Sequence, residues 1–163
     1  MKQISIRHLE KCVAEDASGR SSAKMQRVVI DTNVYIDWIN EGQYEAVLFQ
    51  RDSVKYLSAV VIMELSAGAF SVRDRRLVRE VTSAFAKVGR ILAPTVSIYE
   101  DAGEVLRRLQ ESQGYTMASA YGLVNDVLIA LSARSVGAVV ITQNERDFEA
   151  IQAIRSFKLA VVG

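Results

Sequence analysis

The chain has 163 residues, half of them apolar and 24% charged, which suits one domain with a full hydrophobic core and excludes a disordered or fibrous protein. A formal net charge of +1 neither advertises nor excludes a nucleic-acid partner, because that depends on how the charge is distributed. The one cysteine, Cys12, cannot form an internal disulfide, no apolar run reaches the ~18 residues of a membrane span, and the first 27 residues lack the apolar segment of a secretory signal, so a cytoplasmic setting with no membrane role is expected.

Residues 1–26 read as a flexible polar N-terminal extension. Lys11, Glu15, Asp16, Ser18, Gly19, Arg20, Ser21, Ser22 and Lys24 leave little there to bury. His8 and Cys12, four apart, lack the second pair of ligands that a zinc site needs. Met25 stands directly before the first strand, and the sequence leaves open whether the tail is a real extension or Met25 is the start.

Val28-Val29-Ile30 has the composition of a short buried strand, and Asp31 stands at its carboxyl end. From Asn33 the residues Val34, Trp38 and Ile39 recur at helical spacing, until Gly42 stops the helix after Glu41. In an open parallel sheet the carboxyl ends of the strands form the usual ligand crevice, which puts Asp31 where chemistry happens. Asp is also a common helix cap, and this junction alone leaves both roles open.

A second helix is expected around Tyr44, Val47 and Leu48, and a second strand at Lys55-Tyr56-Leu57. Ser58 then caps a helix running to Phe70 that is apolar on every side, hence buried, and carries the single charge Glu64. Leu77, Val81, Ala84, Phe85 and Val88 form an amphipathic stripe over 73–88, closed by Gly89. A strand at 90–93 ends at Pro94, and Ser97 to Glu100 is a capping-box pattern opening a helix that stops at Gly114. A loop over 115–122 precedes a nearly all-apolar helix over 123–133, with Gly137 after it. The strand Ala138 to Ile141, a short helix over 147–154 and a last strand over 159–162 complete the chain. Strands and helices alternate throughout, so residues 27–163 are expected to form one α/β domain, a central parallel sheet flanked by helices on both faces.

Asp31, Glu64 and Asp126 each interrupt an apolar segment. An ionised carboxylate out of water is costly unless it is neutralised, paired or bound to metal. No Lys or Arg lies within four residues of Glu64 or within seven of Asp126. If the three converge, their mutual repulsion raises the cost of ionising them all, and a divalent cation resolves it. Oxygen ligands with no His or Cys point to Mg²⁺ or Mn²⁺ rather than zinc. The strand Val139 to Ile141 ends in Thr142-Gln143-Asn144, which brings Thr142, Asn144 and Asp147 toward the same rim; Asn144 and Asp147 fit helix capping before Phe148 equally well.

Asp31-Thr32-Asn33 after an apolar strand resembles the opening signature of PIN-domain ribonucleases. Glu64 in a buried helix, Asn125 to Ala130, and Thr142-Gln143-Asn144 followed by Asp147-Phe148 match the family's other three blocks in order. The resemblance covers residues 27–163, and the compact size looks most like the VapC toxins of bacterial toxin–antitoxin pairs. It implies a PIN-like nuclease domain that cleaves RNA phosphodiester bonds with Mg²⁺ or Mn²⁺. Asp31 and Asp126 match the principal metal ligands and Glu64 the third acid, with Thr32, Asn33, Thr142 and Asp147 in support. Asn144 stands where the family often has Asp, so it brings a carbonyl oxygen but no charge, and the number of metals is left open. The resemblance also implies a cognate antitoxin protein and a homodimer. Tyr35, Trp38, Tyr44 and Phe49 are candidate groove residues for such a partner, or core.

Arg73, Arg75, Arg76 and Arg79 crowd the start of one helix and are candidates for holding RNA phosphates, or a solvated face. The only histidine, His8, lies in the tail, which disfavours a serine-hydrolase triad or a histidine-based ribonuclease. No phosphate-binding glycine loop occurs. A PIN-like module that binds RNA or a partner without cutting is the alternative, favoured by Asn144. A phosphoacceptor receiver domain would want a lysine after a late strand, where Ile141 is followed by Thr142 and Gln143.

Overall fold

The computed structural model describes residues 6–15, 25–116 and 121–163. In chain order the elements are α1 (Ile6–Glu15), β1 (Gln26–Ile30), α2 (Thr32–Glu41), α3 (Glu45–Leu48), β2 (Ser53–Ser58), α4 (Ala59–Gly68), α5 (Val72–Lys87), β3 (Ile91–Leu92), α6 (Val96–Gln113), α7 (Tyr121–Ser135), β4 (Val139–Thr142), α8 (Glu145–Ile154) and β5 (Lys158–Val161). Among the described residues the strands form one sheet of order β3-β2-β1-β4-β5, parallel at every neighbouring pair. Each parallel step needs a crossover, and the helices between the strands supply it.

β1 lies at the centre of the sheet, and its Val28, Val29 and Ile30 are all buried, as a strand covered on both faces requires. It pairs with β2 through Val28↔Lys55 and with β4 through Val28↔Val139 and Ile30↔Ile141. The chain builds outward from β1 in one direction through β2 and β3, and in the other through β4 and β5. The connections therefore diverge between β1 and β4, which leaves a crevice at their carboxyl ends. There Asp31 N–H donates to the Ile141 carbonyl at 2.9 Å, tying the two strand ends together. α1 and α4 pack on α5, while α6, α7 and α8 pack on one another and α4 also meets α7. Consecutive residues of β1 and β4 are buried, so the centre of the sheet is covered on both faces.

The N-terminal extension differs from expectation. Residues 6–15 form a helix whose Ile6, Leu9, Cys12 and Val13 are buried against α5, while the charged residues face outward. Apolar residues three and four apart make the stripe, and a count of charges alone hides it. Glu10 pairs with Lys87 at 3.6 Å and Glu15 with Arg51 at 3.9 Å. The rest of the expected flexible tail, residues 1–5 and 16–24, lies outside the described residues, as do 117–120 of the expected loop.

Two smaller corrections follow from side-chain geometry. α6 is capped by Thr95, whose hydroxyl accepts from Ile98 N–H at 3.4 Å, so the Ser97 pattern falls inside the helix rather than at its start. α4 is not buried all round: Val60, Val61 and Leu65 are covered, but Met63 is 53% exposed, and Glu64, Leu65 and Gly68 border a groove with Ile36 and Ile39 of α2 and Val78 of α5. Tyr35 and Trp38 are fully buried and Phe49 is stacked under His8 at 4.4 Å, so Tyr35 and Trp38 belong to the core and cannot line a partner groove.

Candidate functional site

Asp31 is placed by the end of β1. It caps α2 and is 3% exposed. One carboxylate oxygen accepts from Thr32 N–H at 2.7 Å; the other accepts from the Thr142 hydroxyl at 2.6 Å and from Asn33 Nδ2 at 3.0 Å. Capping and site-building are therefore one arrangement rather than competing roles. Thr142, last residue of β4, ties the neighbours together, since its Oγ1 also accepts from Asn33 Nδ2 at 3.2 Å and from Asn144 N–H at 2.9 Å.

Glu64 projects from α4 toward the same rim. Its Oε2 accepts from the Thr32 hydroxyl and its Oε1 from Asn125 Nδ2 at 2.8 Å. Asp126, the next residue on α7, is 9% exposed and accepts from Asn144 Nδ2 at 2.9 Å. The same amide donates to Asp147 Oδ2 at 3.0 Å, while Asn144 Oδ1 accepts from Asp147 N–H at 3.5 Å and caps α8. So Asp31, Thr32, Asn33, Glu64, Asp126, Thr142, Asn144 and Asp147 form one hydrogen-bonded network at the carboxyl ends of β1 and β4.

The network holds excess negative charge. Burial is the main reason Asp126 is pushed up to about 8, and the charges of Asp31, Asp147 and Glu64 push the same way against the Asn144 hydrogen bond. Asp31 is also raised, by burial first and with Glu64 adding to it, against the hydrogen bonds from Thr142, Thr32 and Asn33. Among the described residues no Lys or Arg forms a salt bridge with any of the four acids. Nor, among those residues, is any group of three or more His, Cys, Asp or Glu side chains arranged to hold a metal ion. The carboxylate oxygens of Asp31, Glu64 and Asp126 accept instead from neutral Thr and Asn donors. Crowded, buried, oxygen-only and short of positive charge, the donor set fits a hard divalent cation, provided those donors yield.

Three partners had no role assigned to them from the sequence. Asn125 orients Glu64; Gln143 Nε2 donates to Asp37 at 2.8 Å while its N–H donates to Asn33 at 3.3 Å; and the Tyr115 hydroxyl donates to Asp147 Oδ1 at 2.8 Å. Burial raises the Tyr115 phenol first and its bond to Asp147 next, with Arg146 acting against them. Asn125 and Gln143 stand inside the motif blocks, whereas nothing local marks Tyr115. The arginines lie on the exposed side of α5: Arg76 pairs with Glu80 at 2.7 Å, Arg75 donates to the Phe70 carbonyl at 2.6 Å, and Arg73 and Arg79 face solvent. They do not touch the acids, but Asp74 and Val78 of the same helix share the α2–α4–α5 groove with Glu64.

A family model described as the PIN domain matches residues 28–154, which includes every acid of the network. No curated protein gives a significant match. Solved structures do. VapBC2 from Rickettsia felis, bound to a DNA fragment from its promoter, matches at 20% identity and a TM-score of 0.62 over 85% of this chain and 100% of the other. FitAcB from Neisseria gonorrhoeae matches at 23% identity and 0.59, over 81% and 95%. VapBC-5 from Mycobacterium tuberculosis, a member of the VapBC family of toxin–antitoxin systems, matches at 24% identity and 0.58, over 83% and 98%. At these identities the likeness is one of fold.

Proposed function

This chain belongs to the PIN-domain family, and from that premise we propose that it is a Mg²⁺- or Mn²⁺-dependent endoribonuclease, the toxin of a VapBC-type toxin–antitoxin pair. The observation that carries the reading is the convergence of Asp31, Glu64, Asp126 and Asp147, from four different elements, with no salt bridge to a basic side chain among the described residues. Asp31, Glu64 and Asp126 would hold the cation, with Asn144 able to offer its carbonyl oxygen. When bound, it supplies charge stabilisation at the phosphodiester and a lower pKa for the attacking water.

The chain's own side chains do the rest. Thr142, Thr32 and Asn33 orient Asp31 in the metal-free protein, and Asn125 with Thr32 orients Glu64. Glu64 is half-buried and borders the groove between α2, α4 and α5, and it would accept a proton from the attacking water. No histidine is needed, and His8 is stacked on Phe49 in another part of the fold. Exposed Arg73, Arg75, Arg76 and Arg79 would hold the RNA backbone beside the groove. A cognate antitoxin and a second copy of the chain are the proposed protein partners; exposed Met63, Phe70, Val72, Val96 and Tyr99 offer apolar surface to them.

Purified protein with Mn²⁺ is expected to cleave RNA internally and EDTA to stop it. Asp31→Asn and Asp126→Asn are each expected to lower the rate by at least about 100-fold and to restore growth in cells arrested by the unmodified chain. Intact RNA in the presence of Mn²⁺, together with toxicity that survives both substitutions, would reject the reading. One observation favours a second reading, a PIN-like module that binds RNA or a partner without cutting it: Asn144 bridges two acids with an uncharged amide. Calorimetric Mn²⁺ titration separates the two, since such a module has no need of the ion.

A further inference from the structure

The Tyr115 hydroxyl belongs to this rim, yet neither the motifs nor the chemistry above makes use of it. Gly114 ends α6 at φ 69°, a left-handed conformation that glycine adopts without strain, and Tyr115 follows at once. The ring packs against the core and its hydroxyl reaches the first turn of α8, donating to Asp147 Oδ1 at 2.8 Å; Arg146 also approaches it. The other oxygen of Asp147 accepts from Asn144 Nδ2, and that amide donates in turn to Asp126. Asp147 is therefore tethered at both oxygens, and through one tether it is coupled to Asp126. A carboxylate on the first turn of a helix has rotamer freedom that a single bond does not remove; two opposed donors fix it.

We propose that Tyr115 is a positioning residue of the site: its hydroxyl holds Asp147 beside Asp126, so that residue 147 supplies the negative charge which residue 144, an amide, does not. This rests on the metal-dependent reading above. Loss of an orienting partner of this kind weakens metal binding by roughly 10–100-fold in known sites.

The test is calorimetric Mn²⁺ titration of the full chain and of Tyr115→Phe, Asp147→Asn, the double variant and Asp31→Asn. Phenylalanine keeps the packing of the ring and removes only the donor, and an unchanged thermal midpoint checks that. Tyr115→Phe is expected to weaken Mn²⁺ binding about tenfold, Asp147→Asn at least as much, and the double variant no more than Asp147→Asn alone. Affinity unchanged in Tyr115→Phe, or losses that multiply in the double variant, overturns the assignment. If Tyr115→Phe binds like the unmodified chain while Asp31→Asn does not bind, only the role of Tyr115 falls. If the unmodified chain binds no Mn²⁺, this proposal and the nuclease reading fall together.

Discussion

At Asp126, burial and like charge act in the same direction, so the folded protein holds a proton near neutrality that the unfolded chain has already released. The stability from that proton is complete below about pH 4 and is lost as the pH climbs through the folded value of about 8. Without metal, the thermal midpoint of the unmodified chain should therefore fall between pH 5 and 8.5. Asp126→Asn replaces the carboxylate by a neutral group of the same shape, so its midpoint should fall less, and its advantage should widen toward high pH. Thermal melts in EDTA across that range check this; parallel curves for the two proteins would mean that Asp126 is not strained by its neighbours. Under the proposed metal-dependent function the same substitution would also remove a ligand, so gain in stability and loss of activity should come together.

Among the elements, α1 shows what a sequence reading misses. Its charges, Glu10, Lys11 and Glu15, dominate a residue-by-residue reading, yet they occupy the outer face while Leu9 and Val13 are fully buried. Leu9→Ala should lower unfolding free energy by about 2–4 kcal/mol, as for other fully buried leucines. A loss under about 0.5 kcal/mol in urea denaturation would return residues 6–15 to the status of an appendage. By contrast, α2 was legible from Val34, Trp38 and Ile39 to its stop at Gly42, because the helix period and the left-handed cap are both local signals. Asp31, Glu64 and Asp126 were legible for a physical reason too: a charge inside an apolar run needs an explanation. Thr95 as the cap of α6, the open side of α4 and the bond from Tyr115 to Asp147 were not, since each depends on which groups the fold brings together. Tyr115 and Asp147 are 32 residues apart and meet only because α6 and α8 pack against each other.

For the molecule as a whole, sheet order does most to place the chemistry. With β1 between β2 and β4, the chain leaves the sheet in opposite directions on either side of β1, and the carboxyl ends of β1 and β4 share a crevice. α4 and α7 bring Glu64 and Asp126 to that crevice, and α8 starts there with Asn144 and Asp147. Neutral hydroxyls and amides now satisfy the carboxylate oxygens, and metal-dependent cleavage would require a divalent cation to displace some of them. Diffraction from crystals grown with Mn²⁺, with data collected to show its anomalous signal, tests this most directly. The expected result is a peak in the inner shell of Asp31 and Asp126, with the Thr142 or Asn144 bond to them broken. A peak only elsewhere, or none with all those hydrogen bonds intact, would contradict it.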